Sequence, residues 1–300
     1  MSDPAPVPRQ AIFGPIDIAV VVAMNILWGL NIIAVKVSVG AIGPLTAAFL
    51  RQAVIFVICA HALRWVPGKM RVLTVLGILS GGAFYAAVNM SLAVADNVGA
   101  LAIAGQLGVP FSLILAIIFY HERIHWPRLI GIALAFVGVV ILVFDPAAAH
   151  EGLGIALTAL GSFIWAACSL LQRQLIGVRV LTIYAWIGLW GMLIQGLIAW
   201  HWEPARMAAI GDLPLHLFGW VAFSGIGSTV LGQGAMSWLL QRHPVTTVAP
   251  LTLGAPVISV FTAAEYFGTP ISGWMLLGGA LAMLGVAIVT VRTARSVAIK

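Results

Sequence analysis

The sequence predicts an all-α membrane protein of ten transmembrane helices, arranged as two inverted five-helix repeats with both termini in the cytoplasm. Three observations predict it. The 300 residues are 62% hydrophobic and only 8% charged, with a mean hydropathy of +1.08; so few charges cannot clothe a soluble domain, and the chain needs lipid as its solvent. The apolar residues fall into ten runs, each near the roughly 20 residues that cross a bilayer core. Finally, "LGVP" at 107–110 and "LGAP" at 253–256 set proline in the same apolar surroundings twice.

The first 15 residues, MSDPAPVPRQAIFGP, are proline-rich and read as a disordered cytoplasmic tail. They lack the basic start and small-residue cleavage site of a secretory signal peptide. The spans follow at 16–36, 44–65, 71–95, 98–120, 127–144, 152–172, 180–200, 214–240, 245–266 and 271–291. The connections are too short to hold a soluble domain. The first repeat covers 16–146, a linker 147–149, the second repeat 150–292, and a cytoplasmic tail 293–300.

Basic residues set the orientation. With ten spans both termini share a side, and that side takes Arg9, Arg64, Lys69, Arg71, Arg123, Arg128, Arg173, Arg179, Arg242, Arg292, Arg295 and Lys300, twelve of the fifteen Lys and Arg. Asp96, Asp145, Glu151, Glu203 and Asp212 fall on the other. The formal charge of +6 and pI near 9.9 are therefore a topology signal, and no nucleic-acid partner is implied. Contact with anionic lipid is expected at the basic face. Cys59 and Cys168 sit within spans as small hydrophobes, without metal spacing or a disulfide framework.

The halves align. Residues 89–110 lie over 235–256 with Met90 and Ser91 on Met236 and Ser237, and Leu107, Gly108 and Pro110 on Leu253, Gly254 and Pro256; Gly81 meets Gly227. At a slightly different offset "ILWGLN" (26–31) echoes "FIWAAC" (163–168), and "PLTAAF" (44–49) echoes "VLTIYA" (180–185). Five spans per copy is an odd number, so the second copy enters the membrane from the opposite side. Inverted repeats are a common construction of secondary transporters. Pro110 and Pro256 then fall near the bilayer midplane, where each removes a backbone donor and clashes with the carbonyl four residues back. They are expected to form a symmetry-related pair of hinges, with Pro250 as a second break in the ninth span.

"GVPFSLILAIIFYHERIHWPRLIGIALAFVGVVILV" (108–143) joins a mid-span proline, a Glu-Arg at the span end, a short loop and a following apolar span. With "WGLN" (28–31) it resembles the repeat signature of the drug/metabolite transporter superfamily, EamA type. Within it the chain is most similar to bacterial aromatic amino-acid exporters of the YddG type. The resemblance implies a ten-span exporter of the bacterial inner membrane. The second half departs from the signature: Gly268 stands where the first half has Glu122, and Glu265 comes one turn earlier.

Polar groups inside spans are costly and mark pathways. The candidates for substrate contact are Trp28 and Asn31 in span 1, Tyr85 and Asn89 in span 3, Gln106 in span 4, Trp165 and Ser169 in span 6, Ser228 and Gln233 in span 8, and Thr252 in span 9. Gln172 and Ser224 share those faces. Neutral hydrogen-bonding groups among aromatic rings suit a zwitterion with a large apolar side chain; the same groups also serve as interhelical glue. Arg51, well inside span 2, is placed to hold a carboxylate, to pair with Glu265 or to reach the surface. With no deep carboxylate, the expected mechanism is a facilitative carrier working by alternating access. A proton-coupled exporter of other metabolites or drugs, and a lipid carrier of the same fold, are the alternatives. No cofactor is expected; the partners are small-molecule amino acids and the bilayer, and the chain is expected to be a monomer. One motif points to an enzyme: 121–125 reads His121-Glu122-Arg123-Ile124-His125, the H-E-x-x-H of zinc hydrolases. Trp126-Pro127 ends that stretch at once and no third ligand is placed, so neither a metal site nor catalysis is expected.

Overall fold

The computed structural model describes residues 14–120, 126–146, 150–240, 242–243 and 245–298. These residues are helical throughout, joined by short turns. The helices are α1 (Pro15–Ile42), α2 (Pro44–Cys59), α3 (Met70–Val94), α4 (Val98–Phe119), α5 (Trp126–Val143), α6 (Gly152–Arg173), α7 (Val180–Trp202) and α8 (Leu215–Leu240). Then come α9, in two pieces (Val245–Leu251 and Gly254–Phe267), and α10 (Gly273–Ala298). Among the described residues nine helices are long and apolar enough to cross a membrane. The tenth expected span is α9, which breaks at Thr252–Leu253 after Pro250. In lipid every backbone group must be satisfied within the segment, and helices do this.

Several boundaries differ from expectation; α2, for one, ends at Cys59 rather than near 65. α1 runs to Ile42 rather than ending at Lys36, because the Lys36 ammonium donates to the Leu92 carbonyl at 2.7 Å and to that of Ala95. A charge that caps the end of α3 does not need to stop α1. Helix α1 starts at Pro15, with Gly14 N–H donating to Asp17 Oδ2 at 2.7 Å. At the other terminus α10 continues to Ala298, through residues read from the sequence as tail. The linker 147–149 and the residues His121, Glu122, Arg123, Ile124 and His125 lie outside the described residues, as do 1–13.

Helix ends gather in two sets. At one end His243 Nε2 lies 3.1 Å from Asp17 Oδ1, Thr182 Oγ1 donates to the Ala62 carbonyl, and Lys69 donates to that of Gln174. At the other, Glu203 receives the N–H groups of Leu45 and Thr46 and the Thr46 hydroxyl, at 2.7–3.2 Å. There too Glu151 Oε1 receives the N–H groups of Asp96 and Asn97, and Ser272 donates to Asp145. A carboxylate at a helix start satisfies orphan donors and meets the positive end of the helix dipole. Between α1 and α2 stands one residue, Gly43, at φ 103, a backbone region that glycine alone enters freely.

The interior is built on close helix approach through small residues. A Cβ at Gly138 would stand 2.5 Å from the Gly278 carbonyl, and one at Gly285 2.4 Å from that of Gly131, so α5 and α10 meet backbone to backbone. α2 packs on α7 in a counterpart pairing. α1 lies against both α8 and α9, just as α6 lies against α3 and α4.

Candidate functional site

Arg51 is the centre of the polar interior. It is 6% exposed, on α2, where α3 and α8 converge. Nη1 donates to Ser224 Oγ at 2.5 Å; Nη2 donates to Thr229 Oγ1 at 2.8 Å and to the Tyr85 hydroxyl at 3.1 Å. The guanidinium carbon lies 4.3 Å from the centre of the Tyr85 ring, a cation–π distance. Nε has no hydrogen-bond partner. Beside it is a cavity of about 10 Å³ lined by Val35, Ser38, Ala47, Arg51, Asn89, Val221 and Ser224. That is about the space of one water molecule, so the centre is shut in this conformation.

Two irregular helical stretches bring these groups together. Gly77–Phe84 of α3 and Phe223–Gly232 of α8 are π-helical. They begin 146 residues apart, the same spacing that separates Pro110 from Pro256. π turns inside α-helices are rare and gather at functional sites. The first ends at Tyr85, and the second carries Ser224 and Thr229. Their freed carbonyls find partners: fully buried Gln195 on α7 donates Nε2 to the Gly82 carbonyl at 2.7 Å and to that of Gly81 at 3.4 Å. Thr229 Oγ1 donates to the Ser224 carbonyl at 3.3 Å, across five residues.

The prolines take a matching arrangement. Pro110 is the third residue of the helical piece Gly108–Tyr120, which follows a tight turn at Gly105–Leu107. Pro256 is third in Gly254–Phe267, after the break at Thr252–Leu253. A proline in the first turn of a helix costs no internal bond, because those N–H groups have no helical acceptor. Both spans are thus interrupted just before the proline. Both prolines are buried.

The candidates separate into groups. Tyr85 and Asn89 reach the centre; Asn89 is 2% exposed, its Nδ2 donating to the Pro44 carbonyl at 2.9 Å and its Oδ1 unpartnered. Trp28 lies next door, its indole N–H donating to the Ser228 carbonyl at 3.1 Å and its ring against Gly232. Asn31 is half-buried with an unpartnered Oδ1. Ser169 donates to its own helix at the Ala166 carbonyl and lies 3.3 Å from Ser112 on α4. Trp165 stands apart from Arg51: it is 42% exposed and lies against Gly108. Gln106 is half-buried in the turn before Pro110, Gln233 is half-buried at the end of the second π stretch, and Thr252 lies at the break in α9. Glu265 is exposed and makes no ion pair with Arg51; nor does Arg51 reach the surface.

Thr229 is a contact that helical spacing hides. Five residues of α-helix turn through about 500°, leaving Ser224 and Thr229 about 140° apart. The i to i+5 bonding of a π-helix returns them to one face. A pair of serine and threonine among glycines (Ser224, Gly225, Gly227, Ser228, Thr229) is the signal that could have exposed it.

Comparison with known proteins places this geometry in a family. The EamA-like transporter family matches twice, over residues 16–144 and 152–291. A relative from Archaeoglobus fulgidus named "Uncharacterized transporter" is 27% identical over 280 residues, covering 90% of this chain and 97% of the relative. Two relatives named "Probable amino-acid metabolite efflux pump" are similar across 88% of the chain and 91% of their own length: one from Escherichia coli, 24% identical, and one from Salmonella typhimurium, 27% identical. A solved crystal structure superposes with a TM-score of 0.63 at 20% identity, over 94% of this chain and 98% of that one, and shares the fold.

Proposed function

Because the chain belongs to the EamA-like transporter family, we propose that it exports amino acids, preferentially aromatic or large neutral ones, across the bacterial inner membrane by alternating access. It is a multi-pass membrane protein and a transporter by family. The observation that carries the finer reading is the pairing of irregularities. The π stretches of α3 and α8, and the proline breaks of α4 and α9, recur at one spacing in two segments that match one family.

Two equivalent packings that can exchange roles are what an alternating carrier needs. Helices already interrupted there are held by short turn bonds, such as Leu253 N–H to the Pro250 carbonyl and Ala255 N–H to that of Thr252, and can change direction at the loss of fewer hydrogen bonds than an intact helix. Two relatives carry amino-acid efflux in their names, which supports the substrate class. Tyr85 and Trp28 beside Arg51 supply ring surfaces for an aromatic side chain. The charge asymmetry supports cytoplasmic termini. A facilitative carrier is favoured because, among the described residues, Arg51 has no acidic partner to exchange a proton with.

The test is counterflow in liposomes holding the purified protein, with phenylalanine, tryptophan, threonine, glutamate and a nucleotide sugar, with and without a pH gradient. Phenylalanine and tryptophan should exchange fastest, independently of the gradient. Exchange of the nucleotide sugar alone, or none above protein-free liposomes, would overturn the amino-acid reading.

A further inference from the structure

Arg51 is a buried cation whose described partners are all neutral. Ser224, Thr229 and Tyr85 hold it through hydroxyl oxygens. Hydroxyls supply hydrogen bonds but no opposing charge, and a guanidinium taken out of water without an anion is costly to keep. Accounting for protons shows what the cluster lacks. Ser224 and Tyr85 accept from Arg51, so each keeps its own O–H to donate. Thr229 already spends its proton on the Ser224 carbonyl. Arg51 Nε is unused. With the second N–H of Nη1, the cluster holds four spare donors and a positive charge, and wants an oxyanion.

Across the same cavity the need is reversed. Asn89 lines it with Arg51 and Ser224. The bond from Nδ2 to the Pro44 carbonyl sets the orientation of the amide, which leaves Oδ1 as a buried acceptor with no donor. A neutral acceptor and a donor-rich cation lining one cavity match the dipole of an α-amino acid: carboxylate to one, ammonium to the other. The cavity, at about 10 Å³, cannot hold that headgroup as it stands. Loading therefore needs α3 and α8 to part at the groups their π stretches deliver.

We propose that Arg51 and Asn89 are the two poles of the headgroup site, Arg51 with Ser224 and Tyr85 taking the substrate carboxylate and Asn89 Oδ1 the ammonium. This rests on the amino-acid reading above and deepens it. The site selects α-amino acids over amines, amides and simple acids, whatever the side chain.

The experiment holds the ring constant. Counterflow of labelled phenylalanine in proteoliposomes is competed with phenylalanine, phenylalaninamide, phenethylamine and 3-phenylpropionate. In the wild type the amide and the amine should compete at least tenfold more weakly than phenylalanine, and 3-phenylpropionate should fall between. Asn89→Ala should lower phenylalanine to the level of 3-phenylpropionate and leave the latter unchanged. Arg51→Lys should keep the ranking at reduced affinity, and Arg51→Gln should erase the preference for a carboxylate. Phenylalaninamide competing as well as phenylalanine in the wild type, a result that needs no variant, would overturn the proposal and leave Arg51 as a tie between helices. If the wild type carries no phenylalanine, the aromatic preference fails by itself. The anchor is then judged by thermal stabilisation in detergent: 3-phenylpropionate but not its amide should raise the melting temperature of wild type and not of Arg51→Gln. Equal shifts would overturn it.

Discussion

Gly285→Ala offers the most quantitative check of the packing. An added Cβ would sit 2.4 Å from the Gly131 carbonyl and 2.5 Å from the Ala135 nitrogen, both backbone atoms of the facing helix. Ordinary contact begins near 3.4 Å, so α5 and α10 must separate by about 1 Å at that point. A gap of that order forfeits a quarter to a half of each neighbouring contact's attraction. Overpacking of this kind costs about 1–3 kcal/mol. Alanine's better helix propensity returns up to about 1 kcal/mol, for a net loss of roughly 0–2 kcal/mol, the upper end applying here because both clashing atoms are backbone and cannot swing aside. Gly219→Ala is the control: nothing lies within 4 Å of its Cβ position, so only the propensity gain remains. Gly131→Ala, at 2.9 Å from its nearest atom, should be milder than Gly285→Ala. Heating the purified protein in detergent and measuring the fraction still monodisperse gives the ranking. Gly285→Ala should melt several degrees below wild type, taking roughly 2–4 °C per kcal/mol for chains of comparable size. A Gly285→Ala protein as stable as Gly219→Ala would refute the close seam.

Other expectations are more local. Pro110→Ala and Pro256→Ala should each slow counterflow several-fold with membrane insertion unchanged; normal flux in both would remove the hinge. Glu203→Ala strips three donors at the start of α2 of their acceptor and should destabilise by about 1–2 kcal/mol, Glu203→Gln by less, read as melting temperatures. Thr229→Val removes one acceptor from Arg51 at nearly constant volume and should cost about 1.5–3 kcal/mol in the same assay. His121→Ala with His125→Ala should transport normally, and elemental analysis of the purified wild type should find no zinc; lost flux together with bound zinc would revive the hydrolase reading.

The positions of the helices were legible because lipid enforces long apolar runs; among the described residues α9, cut by Pro250 and the turn before Pro256, departs furthest from a simple span. Lys36 misled because a charge was taken as the end of a span, whereas its flexible stem reaches the carbonyls at the end of α3. Tyr85 and Asn89 lie one α-helical turn apart and share the centre because they come after the first π stretch. Thr229 escaped because it lies within the second. Trp165 was named as an aromatic residue within a span, and a place along the span says nothing about the direction its ring takes. Arg51 stood out as a charge among apolar residues, but only three-dimensional packing shows that its partners are all uncharged.

The carboxylates of Glu151 and Glu203 fasten helix starts near Asn97 and Leu45, far earlier in the chain. A gene cut near residue 150 would yield an amino-terminal fragment with two bare helix beginnings. If the chain descends from a single ancestral unit that paired with itself, this borrowing makes the fusion a one-way step. Reversal would require both anchors to be reinvented on the shorter polypeptide, so co-expressed fragments should assemble only as unlike pairs.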